Sequence, residues 1–398
     1  MKIWTDENRK KIVDLLFYVA LTIELVLMIV EKSEIVFNYE SYVFRVTFLL
    51  TFIAVLVMKH DRREWAVILI VLALAAYAYV HSGKNDLLRL AAFVMAARDI
   101  DLEKAMKYSF FVSITGFALI VLLSIFGVMG DLYLIGDFGR EIENEKRYVF
   151  GFGHPNSLFS AAYSMLLLWL WLYGKNIRWY GYVAATVIIV AAAMLTSSRT
   201  GMLISVMTVL LAVLARVFPK LSKLGSVYFC GTLFSTVLSV ALTILGAWEA
   251  SRYYIDGVYD WRFWEIEEKI NYRISNLYYS TEDRGGILYR WKLFAGHGSD
   301  SYFDMGWARL FYWYGIIPTV LIILAVFAVV YVSRKKCDIW TLILVISLSI
   351  YTLVEATFVT RYLGRDFFLL IAGVYLGYFF RTIVFKIDKE RGEDALQA

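Results

Sequence analysis

The residues best suited to chemistry lie between Arg147 and Asn156, in the stretch Arg-Tyr-Val-Phe-Gly-Phe-Gly-His-Pro-Asn. A cation, two glycines, a histidine, a proline and an amide crowd the point where a polar segment meets a strongly apolar run. Glycine lets backbone amides approach a ligand closely, and proline favours the first turn of a helix. His154 is one of only four histidines. Because polar groups beside apolar spans usually face a cavity, the stretch predicts part of a site.

A second polar stretch, Leu-Thr-Ser-Ser-Arg-Thr-Gly over 195–201, predicts a tight turn between two apolar runs. The guanidinium of Arg199 keeps its charge and binds phosphate through two parallel hydrogen bonds. The hydroxyls of Ser197, Ser198 and Thr200 offer further donors. The alternative is a surface turn whose arginine reaches the membrane surface. Because positive charge is depleted on the outer side of membranes, we favour an anion site at this turn.

The longest polar segment, about 249–305, is rich in aromatic side chains. Aromatic faces offer flat apolar surface to a ligand, a sugar ring included, and they also form belts at membrane surfaces. Apolar spacing over 261–270 predicts an amphipathic helix that lies on the membrane. Arg273 follows that helix closely.

The same segment ends in Gly296-His-Gly-Ser-Asp-Ser-Tyr-Phe-Asp304. Glycines on both sides of His297 place its ionisable ring on a permissive backbone. Asp300 and Asp304 have the i, i+4 spacing that puts two side chains on one helix face. Helix capping explains Asp300 equally well, whereas we favour a site role for Asp304. His297, Asp304 and His154 are the candidate general bases, and the residues alone do not choose among them.

The composition predicts the elements that hold these residues. The chain has 398 residues, is 60% hydrophobic and has a mean hydropathy of +0.62, which is more apolar than a soluble protein. Runs of about 20 apolar residues span a bilayer, and we identify twelve runs. They predict an all-α polytopic membrane protein with about twelve helices, or eleven if the short fourth run does not span. The runs lie at about 12–30, 42–58, 65–80, 86–97, 108–129, 156–173, 179–196, 201–217, 226–248, 306–332, 339–357 and 366–384.

Basic residues predict the orientation. If both termini are cytoplasmic, the inner segments carry 22 of the 40 Lys and Arg residues, whereas each short outer loop carries one or two. This orientation predicts an N-terminal bundle of about nine helices over 1–248, one large extracytoplasmic loop over 249–305, and C-terminal helices with a cytoplasmic tail over 306–398. It places Arg361 and every candidate named above on the outer face, where ATP and nucleotide sugars are not normally present.

Several functional classes are not favoured. The sequence has no phosphate-binding loop, no zinc-protease motif and no serine-hydrolase elbow, and its two cysteines lack metal-ligand spacing. We therefore expect no metal and no other cofactor. The net charge of +5 reports membrane orientation rather than nucleic-acid binding.

These four segments, in this order, resemble the O-antigen ligase and polymerase family of bacterial membrane glycosyltransferases, over roughly 40–380. Arg147 followed by Gly-His-Pro-Asn resembles the family's arginine, glycine and Pro-Asn pattern before a helix, and the Arg199 turn resembles its second outer arginine. Gly-His-Gly, an acidic residue and Tyr-Gly-Ile-Ile resemble the end of its large loop. The His-Pro-Asn version and the short length look most like polymerases of Gram-positive capsule or exopolysaccharide clusters. Ligases usually carry His-Asn where this chain has Asp304-Met-Gly, which favours a polymerase over a ligase.

The resemblance implies a GT-C-like enzyme of the bacterial plasma membrane with its active site on the extracytoplasmic face. Such an enzyme joins oligosaccharide repeats carried on polyprenyl diphosphate, and its expected protein partners are a flippase and a chain-length regulator. Arginines would stabilise the departing diphosphate, the largest expected contribution. A ligase for finished glycan and a flippase for the same lipid-linked sugars are the alternatives. Besides the three candidate bases, the residues assigned are Arg147 and Arg199 for the diphosphate, with Arg273 a weaker candidate, and Asn156, Ser198 and Arg361 for positioning the substrate.

Overall fold

The computed structural model describes residues 5–136, 144–258, 261–270, 272–279, 284–299, 302–356, 359 and 365–387. The structure is 76% helical. The prediction of a predominantly helical, polytopic membrane protein is therefore confirmed at this level.

Eight of the described α-helices precede residue 218. Their bounds are α1 (Asp6–Lys32), α2 (Glu40–Val57), α3 (Arg62–Ser82), α4 (Asp86–Ala96), α5 (Leu102–Ile125), α6 (Pro155–Tyr173), α7 (Trp179–Leu195) and α8 (Arg199–Val217). Later helices are α9 (Gly225–Thr232), α10 (Leu238–Tyr254), α11 (Trp261–Lys269), α12 (Arg273–Tyr279), α13 (Gly306–Trp313), α14 (Ile316–Lys335), α15 (Ile339–Val354) and α16 (Arg365–Tyr378). Shorter turns are 3-10 helices over Pro219–Lys223 and Leu288–Arg290 and π-helices over Leu233–Val237 and Phe379–Val384.

Eight of the described helical segments are long and apolar enough to cross a membrane. They are α1, α2, α3, α5, α8, α14, the joined α9–α10 segment Gly225–Tyr254 and the segment Phe367–Val384. The helices α7 and α15 are apolar but shorter. The fourth predicted run forms only α4, which has 11 residues, about half the length that spans a bilayer.

The helix α1 has one apolar face in the protein core and another on the surface of the protein. Phe17, Leu21 and Leu25 recur every four residues and are 0% exposed, so this stripe packs into the protein core. Leu15 and Val26 are also apolar, yet 66% and 47% of their surfaces are exposed. A helix that is apolar on all sides is expected where lipid replaces water.

One predicted span is wrong in detail: the apolar run 306–332 forms two helices rather than one. The break falls at Gly315, which has φ of +100°. A Cβ at this position would lie 2.6 Å from the carbonyl oxygen of Leu293, and the N–H of Ile316 donates to the carbonyl of Lys292 at 2.9 Å. The segment around Leu293 therefore runs beside the break. Hydropathy does not reveal such a break because both halves are apolar.

A β-hairpin not foreseen in the sequence joins α5 to α6. Strands β1 (Tyr133–Gly136) and β2 (Glu145–Tyr148) pair antiparallel, with Leu134 opposite Arg147. The chain then turns at Gly151, where φ is +79° and a Cβ would lie 3.0 Å from the side chain of Ile120 in α5. The hairpin is therefore seated on the end of α5, and it fixes the start of α6.

Loops predicted to share a side of the membrane contact one another. At one end of α1, Asp6 pairs with Lys59 at 2.5 Å. At the other end, the carbonyl of Lys32 accepts a hydrogen bond from the N–H of Gly153 at 3.2 Å. The helix α1 thus connects a segment predicted to be inner with the segment that enters α6.

Candidate active site

Strand β2 positions Arg147. Glu145, two residues earlier, shares its face of the strand, and Arg147 Nη2 lies 2.5 Å from Glu145 Oε2. Arg147 is only 5% exposed. A buried arginine needs a counter-charge because an unpaired buried cation is costly, and Glu145 supplies it. Arg147, which was predicted to bind the diphosphate, is therefore already paired with a carboxylate of the protein itself.

His154 acts as the N-cap of α6, with Pro155 at the first helical position. The backbone N–H of Asn156 donates to Nδ1 of His154 at 3.1 Å. An Nδ1 atom that accepts a hydrogen bond carries no proton, so the proton of the neutral ring lies on Nε2. Burial and the charge of Arg147 lower the pKa of His154, although Asp304 acts in the opposite direction. The ring is therefore predominantly neutral at pH 7 and directs an N–H donor away from the helix.

Glu355 joins segments that are distant in the sequence. It is the residue directly after α15, and its side chain is 13% exposed. Asn156 Nδ2 donates to its Oε1 from the first turn of α6 at 3.5 Å, at the limit for a hydrogen bond. Arg273 Nη2 donates to the same oxygen from the start of α12 at 3.2 Å. The structure thereby places Asn156 and Arg273, two predicted site residues, on one carboxylate.

A buried acid holds Arg273 in place. Glu267 in α11 is 0% exposed, and its carboxylate accepts hydrogen bonds from the N–H groups of Ile274 at 2.9 Å and Ser275 at 2.7 Å. The Ser275 hydroxyl donates to it as well. These bonds satisfy the orphan donors of the first turn of α12. Because α12 begins at Arg273, they fix the direction in which that arginine leaves the helix.

Asp304 lies on the other side of Arg273. Its Oδ2 is 3.9 Å from Arg273 Nη1, and its side chain is 40% exposed, against 14% for that of Arg273. Arg273 Nη1 is buried and has no hydrogen-bond partner among the described residues. Arg273 thus bridges two carboxylates and retains a donor for a further acceptor.

A second buried cation lies nearby. Arg309 in α13 is 0% exposed, and its Nη2 donates to the carbonyl of Phe303 at 2.8 Å. Its guanidinium lies 3.5 Å from the centre of the Tyr302 ring, within the range of a cation–π contact. Tyr302 itself is 59% exposed. The two residues that precede Asp304 are therefore anchored to Arg309 of α13.

The charges around Glu355 act in opposite directions. Burial, with a smaller effect of the Asp304 carboxylate, raises the pKa of Glu355 to about 7, against the lowering effects of Arg273 and Arg309. A carboxyl group with a pKa near neutrality exchanges a proton readily at physiological pH, which suits a general acid or base.

The ring of His297 packs against another part of the chain. Its ring is exposed and packs on the turn between α3 and α4, where a Cβ on Gly83 would lie 3.0 Å from its Nδ1. Lys84 in the same turn donates to the carbonyl of Ser299. In the part of the chain that the structure describes, no hydrogen bond or ion pair joins His297 to Arg273 or to Glu355.

Arg199 and Ser198 lie at the start of α8, beside the first turn of α6. Gly201 packs so closely on the Phe159 ring that a Cβ would overlap it, and Phe159 is one turn from Asn156. Arg199 is exposed and has no ion pair within the described ranges. It is therefore available to a ligand at the surface but is not bonded to the Glu355 cluster. Arg361 and Asp300 lie outside the described residues.

Sequence reasoning missed Glu355, Glu267 and Arg309. For Glu355 a signal was present, because it is the one acidic residue in the predicted span 339–357, and an ionisable residue in an apolar run is a site candidate by default. Arg309 carried the same signal, because it is the one charged residue in the predicted span 306–332. For Glu267 no signal separates it from the other charges of the outer loop. Its importance comes from burial, which depends on the tertiary packing.

No group of three or more potential metal ligands occurs among the described residues. Comparison with known proteins identifies no relative: no family model, no curated protein and no solved structure matches this chain.

Proposed function

We propose that this protein is a membrane glycosyltransferase that polymerises oligosaccharide repeats carried on polyprenyl diphosphate at the extracytoplasmic face of the bacterial plasma membrane. The proposal includes a GT-C-like arrangement of about twelve spans with both termini cytoplasmic. The observation that carries it is the convergence of Asn156, Arg273 and Asp304 around the buried carboxyl of Glu355. Three of the segments that resemble the polymerase family thus contribute to one cluster.

The arginines suit a diphosphate leaving group. Charge-assisted hydrogen bonds from guanidinium to phosphate are strong and geometrically specific. Arg273 retains a buried donor without an acceptor among the described residues, and Arg199 is exposed at the neighbouring start of α8. Arg273 therefore becomes a leading candidate rather than the weaker one. Arg147 is already paired with Glu145. Its positive charge influences the site electrostatically and lowers the pKa of His154.

The acceptor side needs a base and a surface for sugar. His154 is disfavoured as the base because its Nδ1 caps α6 and its Nε2 bears the proton. His297 lies at the α3–α4 turn. Of the three original candidates, Asp304 is the one that contacts Arg273. The exposed ring of Tyr302 offers a flat surface next to it for a sugar ring.

The chemistry follows from the substrate. The bond between sugar and diphosphate is already activated, so the protein must accept a proton from the acceptor hydroxyl and stabilise negative charge on the departing diphosphate. The cluster holds groups suited to both tasks.

One observation among the N-terminal helices favours the flippase alternative. Glu24 in α1 pairs with Arg89 in α4 at 3.1 Å, and their side chains are only 12% and 9% exposed. Thr47 in α2 donates to the same carboxylate at 2.5 Å. Buried charges between membrane helices are typical of transport pathways.

One reconstitution separates the alternatives. The purified protein is incubated in detergent with the lipid-linked repeat extracted from cells that lack it, and the products are separated by gel electrophoresis. A ladder of increasing length is expected of the polymerase. A single transfer to another acceptor would instead support a ligase. If no glycosidic bond forms but vesicles containing the protein move the lipid between leaflets, the flippase is correct.

A further inference from the structure

The family resemblance does not assign Glu355, and the role of this residue rests on the proposed function. We propose that Glu355 is the general base that takes the proton from the acceptor hydroxyl, and that Arg273 orients this carboxylate while also facing the diphosphate of the donor.

The hydrogen bonds leave one oxygen of Glu355 for the substrate. Asn156 and Arg273 both donate to Oε1, and Oε2 accepts no hydrogen bond from the residues that the structure describes. The side chain retains 13% exposure. Oε2 is therefore the oxygen that a sugar hydroxyl can reach, while the bonds to Oε1 restrict the rotation of the carboxylate. A base held in one orientation before the substrate arrives is what proximity effects require.

The surroundings of Glu355 also set its ionisation. Among the described residues, the charged and titratable groups that face it are Arg273 from α12, Tyr302 and Asp304 from the segment leading into α13, Arg309 from α13 itself, and Tyr351 one turn earlier in α15. Burial and Asp304 raise the pKa of Glu355, and the two arginines lower it. The net effect raises the pKa of Glu355 to about 7, which makes it a stronger base towards a hydroxyl proton than an ordinary carboxylate.

The acceptor hydroxyl oxygen forms a bond to the anomeric carbon of the donor sugar while the bond from that carbon to the diphosphate oxygen breaks. The electron pair of the broken bond leaves with the polyprenyl diphosphate, next to Arg273. The hydroxyl proton passes to Oε2 of Glu355 and is later released to water or to the departing diphosphate. Asp304 influences the base but lies across Arg273 from it, at 3.9 Å from that guanidinium.

The test measures initial polymerisation rates against pH for the wild type, Glu355→Gln and Glu355→Asp, with extracted lipid-linked repeat as the probe. Glutamine keeps the shape and accepts the hydrogen bonds to Oε1, but it takes up no proton. We expect Glu355→Gln to reduce the rate at least about 100-fold without weakening binding of the lipid-linked repeat. Glu355→Asp is expected to retain part of the activity. The matched control is Glu265→Gln, which changes an exposed acid in α11.

The pH profile distinguishes a base from a structural residue. The wild-type rate should rise with pH through about 7, since the base acts when ionised. Asp304→Asn removes a charge that raises the pKa of Glu355, so its profile should move to lower pH. A merely structural role would lower the rate and leave the midpoint unchanged.

The outcomes separate the two proposals. If the wild type polymerises and Glu355→Gln keeps the wild-type rate and pH midpoint, the assignment of the base is overturned and the proposed function stands. The assignment is overturned equally if Asp304→Asn, rather than Glu355→Gln, removes the pH dependence. If neither the wild type nor any variant forms glycosidic bonds, the proposed function fails, and the role of Glu355 fails with it.

Discussion

Replacing Glu267 tests how the site is positioned, and this test does not depend on the proposed activity. In Glu267→Ala the two N–H groups of Ile274 and Ser275 lose their acceptor. A hydrogen bond to a charged group contributes about 1.5–3 kcal/mol. Burial raises the pKa of Glu267, which shows that the ionised form bears a desolvation cost that offsets part of this stabilisation. We therefore expect the variant to lose about 2–3 kcal/mol of local stability in α12.

Amide hydrogen exchange measures this loss directly. Exchange from a local opening follows the free energy of that opening. Because each 1.4 kcal/mol is a factor of ten, exchange in the peptide that covers 272–279 should become about 30- to 150-fold faster. Glu267→Gln should have a smaller effect, since it retains one acceptor oxygen without burying a charge. Glu268→Ala, at the neighbouring exposed position, is the control and should not change exchange in α12.

Two results would refute the reasoning. Unchanged protection of 272–279 in Glu267→Ala would show that the cap does not hold α12. Faster exchange throughout the molecule would show that Glu267 supports the whole fold and not the local direction of Arg273. With active protein, Glu267→Ala should also lower the polymerisation rate, because Arg273 would no longer be held 3.2 Å from Glu355.

Three further predictions concern other parts of the site. Arg199→Ala should abolish polymer but leave single lipid-linked repeats, and Arg199→Lys should also fail if two-point phosphate binding matters; wild-type chain lengths on a gel would contradict this. His154→Asn should keep the cap and most of the activity, whereas His154→Ala should lower stability by about 1 kcal/mol in thermal unfolding; an inactive, well-folded His154→Asn would restore His154 as a base. Gly315→Ala should lower the midpoint of thermal unfolding, because φ is +100° and a Cβ would lie 2.6 Å from a carbonyl oxygen. The control is Gly257→Ala, at a position with positive φ and no atom within 4 Å of the added Cβ. An equal loss in both variants would show that the close contact at Gly315 does not matter.

Some features of the site were readable in the sequence because they have local causes. The start of α6 at Pro155 follows from a proline at a helix entry and from His154 as its cap. The amphipathic helix predicted over 261–270 exists as α11. However, the residues that it buries include Phe263 and Glu267, while Trp261 and Trp264 are exposed. The local sequence of 261–270 was therefore enough to predict a helix. Which face of that helix is buried depends on the segments that pack against it.

The sequence by itself determined the class of the protein and the order of its parts. Apolar runs in a chain of mean hydropathy +0.62 must form helices in lipid, because a bilayer offers no other partner for backbone N–H and C=O groups. Glycine, proline and arginine at the ends of those runs marked the segments around Arg147, Arg199 and Asp304. All these inferences rest on composition and on neighbours along the chain.

Only the tertiary structure decided which charges meet. Asn156, Arg273 and Glu355 are separated by more than 80 residues, yet two hydrogen bonds join them at one carboxylate. The structure also placed the ring of His297 against Gly83 and gave the Nδ1 of His154 a capping role. The physical reason is that the ionisation and availability of a group depend on burial and on charges brought close by packing, and neither is a property of the local sequence.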